Sequence, residues 1–152
     1  MIRIIITTLA LATATPALAQ ESIIPGIRLG QSEAEAQVIF QGQRHEVRGS
    51  PPGSALIIRG GDHIGICNGR VTSISRKVGS DLHAFTDMVE DQIGRLADPI
   101  FIPRHIRTAD GEISSLGAEW SFSENRVYKI SMLYSRGGMD VTESMSQLGH
   151  EC

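Results

Sequence analysis

The stretch Asn68–Ser75, NGRVTSIS, follows the short run His63–Cys67, HIGIC, and the two together read as a β-hairpin. Asn-Gly between two runs rich in β-branched residues signals a type I′ turn, which needs φ > 0 at both central positions. A two-residue turn there pairs Cys67 with Arg70, Ile66 with Val71 and Ile64 with Ser73. Paired residues share a face, so Ile64, Ile66 and Val71 make an apolar side and Cys67, Arg70 and Thr72 a mixed one.

Four of these letters return in Glu124–Ser131, ENRVYKIS. The same rule at Glu124-Asn125 pairs Phe122 with Val127 and Trp120 with Lys129. Ile66, Val71, Phe122 and Val127 then stand at equivalent places, and Ile64 matches Trp120. A one-residue slip would turn that apolar face outward. Ser123, Arg126 and Tyr128 fall on the mixed face.

Working outward, Ser32-Glu33-Ala34-Glu35 has the form of a capping box. It opens a helix that runs to about Gln41, and Gly42 is its left-handed stop. A polar loop follows and ends in Ser50-Pro51-Pro52-Gly53-Ser54. Ala55–Arg59 reads as a strand, Gly60-Gly61-Asp62 as its turn, and Arg70–Val78 as the strand after the Asn-Gly turn. Ser80 or Asp81 caps a second helix, where Leu82, Phe85, Val89, Ile93 and Leu96 draw an apolar stripe at steps of three and four. Asp98-Pro99 ends it. His105–Thr108, Leu116–Ser123 and Arg126–Tyr134 are further strands, and Asp140–Glu143 caps a short last helix reaching Leu148.

The order helix, then three strands, thus occurs twice. The expected fold class is α+β: a single domain over residues 20–152, with tandem α-β-β-β repeats at 31–78 and 80–134 and a tail at 135–152. It would be a two-layer sandwich of roughly six strands, its antiparallel sheet covered on one face by helices.

Residues 1–19 have the pattern of a signal peptide. Arg3 gives a positive start, Ile4–Ala14 is almost wholly apolar, and Ala17-Leu18-Ala19 is a small-x-small cleavage pattern. Cleavage after Ala19 predicts a periplasmic or secreted chain with no transmembrane anchor. No cysteine follows the cleavage site, so no lipid anchor is expected. The 14 basic and 17 acidic residues leave a net charge of −3 with no Lys/Arg block, which points away from nucleic acid as a partner. Cys67 and Cys152 are an even pair in an oxidising compartment, and read as a structural disulfide.

The segment Gly26–Ala36, GIRLGQSEAEA, resembles the G-x-x-x-G-x-S/T-x-x-E-A opening of small exported bacterial modules. With the helix and meander that follow, it is similar to the small outer-membrane-assembly lipoproteins and to the β-lactamase-inhibitor protein, which pairs two such modules. The resemblance implies a non-catalytic protein that binds other proteins or helps organise the envelope. The chain departs from the lipoproteins in lacking the lipidated cysteine, and no site residues carry over.

Catalytic and metal-binding patterns are missing from the sequence. His45, His63, His83, His105 and His150 form no ligand spacing with one another or with a cysteine. No Gly-x-Ser-x-Gly, Ser-x-x-Lys or phosphate-binding glycine pattern is present. No cofactor is implied. The expected function is an exported, non-enzymatic binding or envelope-associated protein with an envelope protein as partner, using the open sheet face or the Ser50–Gly53 loop. Arg70, Arg126 and Tyr128 form the candidate interaction surface, since Tyr and Arg are enriched at protein contacts. The alternative is a small periplasmic hydrolase built on Asp62, His63 and His83, or a metal or small-ligand site in the same region.

Overall fold

A computed structural model describes residues 22–152 except 43, 51, 52, 59, 110, 150 and 151. The signal segment at 1–19, Pro51-Pro52 and His150 therefore lie outside the described residues.

Among the described residues two helices and eight strands follow one another: α1 (Glu33–Ile39), β1 (His45–Ser50), β2 (Gly53–Ile58), β3 (Asp62–Cys67), β4 (Arg70–Gly79), α2 (Leu82–Arg95), β5 (Ile100–Thr108), β6 (Gly111–Ser123), β7 (Arg126–Ser135) and β8 (Gly138–Gln147). All eight strands lie in one antiparallel sheet of order β1-β2-β3-β4-β8-β7-β6-β5. The sheet is two four-stranded meanders joined where β8 pairs with β4. It does not close, and β1 and β5 are its edges.

This overturns the expected α+β sandwich of tandem α-β-β-β units. The molecule is dominated by its sheet, with helices of only 7 and 14 residues that lie mainly against β4, β7 and β8. Each helix precedes a four-stranded meander. The NGRV turn is the third connection of its meander and the ENRV turn the second, so the two copies are not equivalent positions of one unit. Two strands escaped the sequence reading. The polar run before Ser50 is β1, and the segment expected to be a last helix is β8, which pairs on both sides.

Local chemistry accounts for the elements that match. Ser32 and Glu35 complete the capping box: the Ser32 hydroxyl accepts from the Glu35 amide, and the Glu35 carboxylate accepts from the Ser32 amide at 3.0 Å. Asp81 caps α2 by accepting from the Ala84 amide at 2.8 Å. Asn68 and Gly69 have φ of 50° and 72°, as a type I′ turn requires. The strand after that turn is held from outside as well, since Gly30 and Gln31 exchange backbone hydrogen bonds with Val71 at 2.7 and 2.8 Å.

Both hairpins carry a bulge that changes who faces whom. Cys67–Arg70 and Ile66–Val71 pair as expected, but Thr72 is extra on β4, so Ile64 meets Ile74 rather than Ser73. In the β6–β7 hairpin Phe122 is the extra residue. Ser121 therefore pairs with Val127, and Trp120 with Tyr128. A bulge shifts the register by one and exchanges the faces beyond it. Val127 turns to the mixed face and Tyr128 turns into the core. Asn125 is not among the residues with positive φ, so this turn lacks the geometry that Asn68-Gly69 supplies.

The core lies between the helices and one sheet face. Leu56, Ile64, Ile74, Ile130 and Val141 are fully enclosed, and Ile27, Ala36 and Phe40 close over them from the N-terminal side. From α2, Phe85 and Val89 are buried and Leu96 is half-buried, whereas Leu82 and Ile93 of the expected stripe are exposed. Trp120 packs on Tyr128 with ring centroids 5.6 Å apart. Its indole N–H donates to the Ala97 carbonyl at 2.9 Å, which fastens the chain leaving α2 to the sheet. Each fully buried aliphatic side chain here contributes roughly 1.5–3 kcal/mol.

Candidate functional site

Across β4, β8 and β7 the sheet face away from the helices carries mainly small and hydroxyl residues, with Val127 and Lys129 among them and Ile100 and Ile102 beyond on β5. Register gives it row by row: Gly65, Ser73, Ser146, Val127 and Ser121; then His63, Ser75, Ser144, Lys129, Glu119 and Ile100; then Lys77, Thr142, Ser131, Gly117 and Ile102. The alternation along β4, β7 and β8 produces this, because, Val127 apart, they place their Val, Ile and Met residues on the core side and Ser, Thr and Lys residues opposite.

Glycine shapes the floor at two points. A methyl group at Gly117 would meet Lys129 Cε at 2.7 Å, so Lys129 lies flat across that position to reach Glu119 at 2.7 Å. At Gly65 the vacant side is filled by the Ser73 hydroxyl. Lys77 and Asp140 form a second cross-strand ion pair on this face. The result is a broad floor of half-buried hydroxyls with its main charges paired in place.

The Cys67–Cys152 disulfide lies at the β3 end of this floor, with Cα atoms 5.5 Å apart. Gly53, the β2 partner of Cys67, leaves the room that Cys152 occupies: a Cβ there would be 3.3 Å from the Cys152 Cβ. No helix among the described residues is long and apolar enough to cross a membrane.

The three residues expected to form an interaction surface are not brought together. Arg70 is exposed beside the Asn68-Gly69 turn, where its guanidinium donates to the Gly30 carbonyl at 3.0 Å. Tyr128 is buried in the core face, and its hydroxyl donates to Glu143 at 2.7 Å. Arg126 is half-buried and pairs with Gln147 on that same core side.

Asp62 and His63 are neighbours in β3 and so point to opposite faces. Asp62 accepts from Arg76 at 3.3 Å on the core side, while His63 sits across from Ser75 on the open face. The exposed His83 belongs to α2 on the other layer. No group of three or more His, Cys, Asp or Glu side chains among the described residues could hold a metal ion.

Sequence reasoning missed two arrangements. One is the polar line Asp62, Arg76 and Glu143 running across the core face of β3, β4 and β8, capped by Tyr128. Its signal was the Glu in the apolar phase of Met139, Val141, Glu143 and Met145. The other is His105 Nδ1, 3.0 Å from Ser114 Oγ between β5 and β6. That pair is exposed, and its surroundings give it neither desolvation nor an orienting carboxylate among the described residues. A depression of about 440 Å³, open to solvent, is lined by Gly111, Glu112, Tyr134, Ser135 and Arg136.

Titration is perturbed at the surface. The Ser32 side chain and amide hold the Glu35 carboxyl below its ordinary value. Arg48 does the same to Glu46 in β1 through a hydrogen bond and its charge, and is itself raised.

No family model, curated protein or solved structure matches this chain.

Proposed function

We propose that the chain is an exported, non-enzymatic binding protein that holds an envelope protein on the uncovered face of its sheet. The observation that carries this is the floor around Ser144. Small side chains let a partner's backbone approach closely, and the paired Lys129–Glu119 and Lys77–Asp140 charges offer directional contacts with little rearrangement. The disulfide supports an oxidising compartment, and the pattern at residues 1–19 supports export. The small exported modules that the sequence resembles act by protein contact, in keeping with this reading.

A photo-crosslinking amino acid at Ser144, compared with one at the exposed Glu90 of α2, tests it. A discrete protein adduct from Ser144 in the cell envelope, absent from Glu90, is expected. Adducts from Glu90 alone, or from neither site, would overturn the reading. Mass spectrometry of the mature protein should find Gln20 at its N-terminus.

A further inference from the structure

We propose that the open edge of β5 is a strand-addition site for an extended acidic segment of a protein partner, independent of the uncovered sheet face. The two edges of the sheet differ in kind. β1 is six residues long and balances its own charge, with Arg48 donating to both carboxylate oxygens of Glu46 at 3.0 and 3.1 Å. β5 is nine residues long, contains no acidic residue, and pairs with β6 in unbroken register. Ile100, Phe101 and Ile106 are 67%, 52% and 55% exposed along it. A long, regular edge with large apolar side chains in water is what sheets normally avoid, and is a template for added strands.

The backbone of β5 is set for this. Pro103 pairs with Leu116 and has no N–H to give it, so its nitrogen faces the open side. By the alternation of an antiparallel strand, the N–H groups of Phe101, His105 and Arg107 face the same way. Only the Pro103 donor is missing from that outer row.

Charge selects the occupant. Arg104 lies between Ile102 and Ile106 on the open side of the sheet, opposite Ser115, with no carboxylate partner among the described residues. Arg107 is already engaged by Glu112 at 3.0 Å. A second copy of β5, paired antiparallel about its midpoint, would place Arg104 against Arg104, and like charges directly opposite are unfavourable. An added strand with Glu at that place and a branched apolar residue two positions to either side meets Ile102, Arg104 and Ile106 equally well in both directions.

The probe is the peptide Thr-Glu-Val-Thr-Glu-Thr-Val-Glu-Thr, capped at both ends and labelled for fluorescence anisotropy with the intact oxidised protein. Binding is expected to weaken at least about tenfold when the central Glu becomes Lys, and Arg104→Glu should reverse that preference. N-methylation of alternate peptide bonds distinguishes strand addition from surface attraction. One alternating set should abolish binding and the other should leave it intact. Wild-type melting behaviour of Arg104→Glu establishes that it folds. Three outcomes overturn the proposal: no binding of the acidic peptide at millimolar concentration, equal binding of both N-methylated sets, or binding of the Lys peptide unchanged from the Glu peptide. Adsorption of the protein to anionic lipid vesicles with no response to the peptide would assign the edge to a membrane surface instead.

Discussion

Gly79 closes β4 where the chain turns into α2, and replacing it with alanine tests how tightly helix and sheet are fitted. A Cβ at Gly79 would stand 2.3 Å from the Ala84 Cβ and 3.8 Å from the Val141 Cβ. Carbon atoms settle about 3.5–4.0 Å apart, so the first turn of α2 must lift by more than about 1 Å. Neither methyl group has a rotamer through which to escape. Lifting also opens space above Val141, which is fully buried. Overpacking of this kind costs about 1–3 kcal/mol, and its upper end applies where both groups are fixed to backbone. Gly79 has no positive φ, so alanine recovers about 0.4–1 kcal/mol by restricting the unfolded chain. Gly79→Ala should therefore destabilise the protein by about 2 kcal/mol. Ala84→Gly alone should cost up to about 1 kcal/mol through helix propensity. In the double variant the clash is gone, and its stability should be no lower than that of Ala84→Gly. Urea denaturation of the oxidised proteins, read from the midpoint at constant m-value, measures the cycle. Single costs that add within about 0.5 kcal/mol would refute the contact.

The remaining predictions concern single interactions. Cys152→Ser opens a closure spanning 85 residues and should lower stability by about 4 kcal/mol in the chain-entropy account. The same variant should match the parent protein in reducing buffer. Tyr128→Phe leaves Glu143 without its hydroxyl donor and should cost about 1–2 kcal/mol by denaturant titration. Glu35 has a lowered carboxyl pKa in the fold, so its contribution is complete above the ordinary glutamate value and is lost as pH falls through the lower folded one. Ser32→Ala should move the Glu35 titration midpoint upward by NMR and make stability less sensitive to acid in that window.

What the sequence discloses is local and what it hides is pairwise. Ser32 and Glu35 find each other within one turn, and Asn68-Gly69 carries its own conformational demand, so both were legible. So was α2, whose cap and stripe lie within fifteen residues of each other. β8 was not. Its Asp140, Thr142, Ser144 and Ser146 look like helix caps and loop residues until β4 and β7 are placed on either side, where small hydroxyls become the outer face of a central strand. β1 has the sequence of a polar loop, since every described side chain in it is exposed. The bulges at Thr72 and Phe122 are each a single residue, yet Phe122 decides that Tyr128 is core and Val127 is not. The expected Arg70–Arg126–Tyr128 surface rested on that register. The hydroxyl floor was invisible for the same reason: its rows are drawn from strands far apart in sequence.

The position of β8 also governs the order in which the molecule can be made. It is the last of the eight strands to leave the ribosome, yet it occupies the middle of the sheet between β4 and β7. Until it arrives, one meander ends in an unpaired β4 and the other in an unpaired β7, each a raw edge. Ser73 must wait for Ser146, and pairings of such long sequence separation form slowly. A nascent chain lacking its final strand is therefore two adhesive fragments rather than a partly finished protein. The sheet can complete its folding only once β8 is present to join β4 and β7.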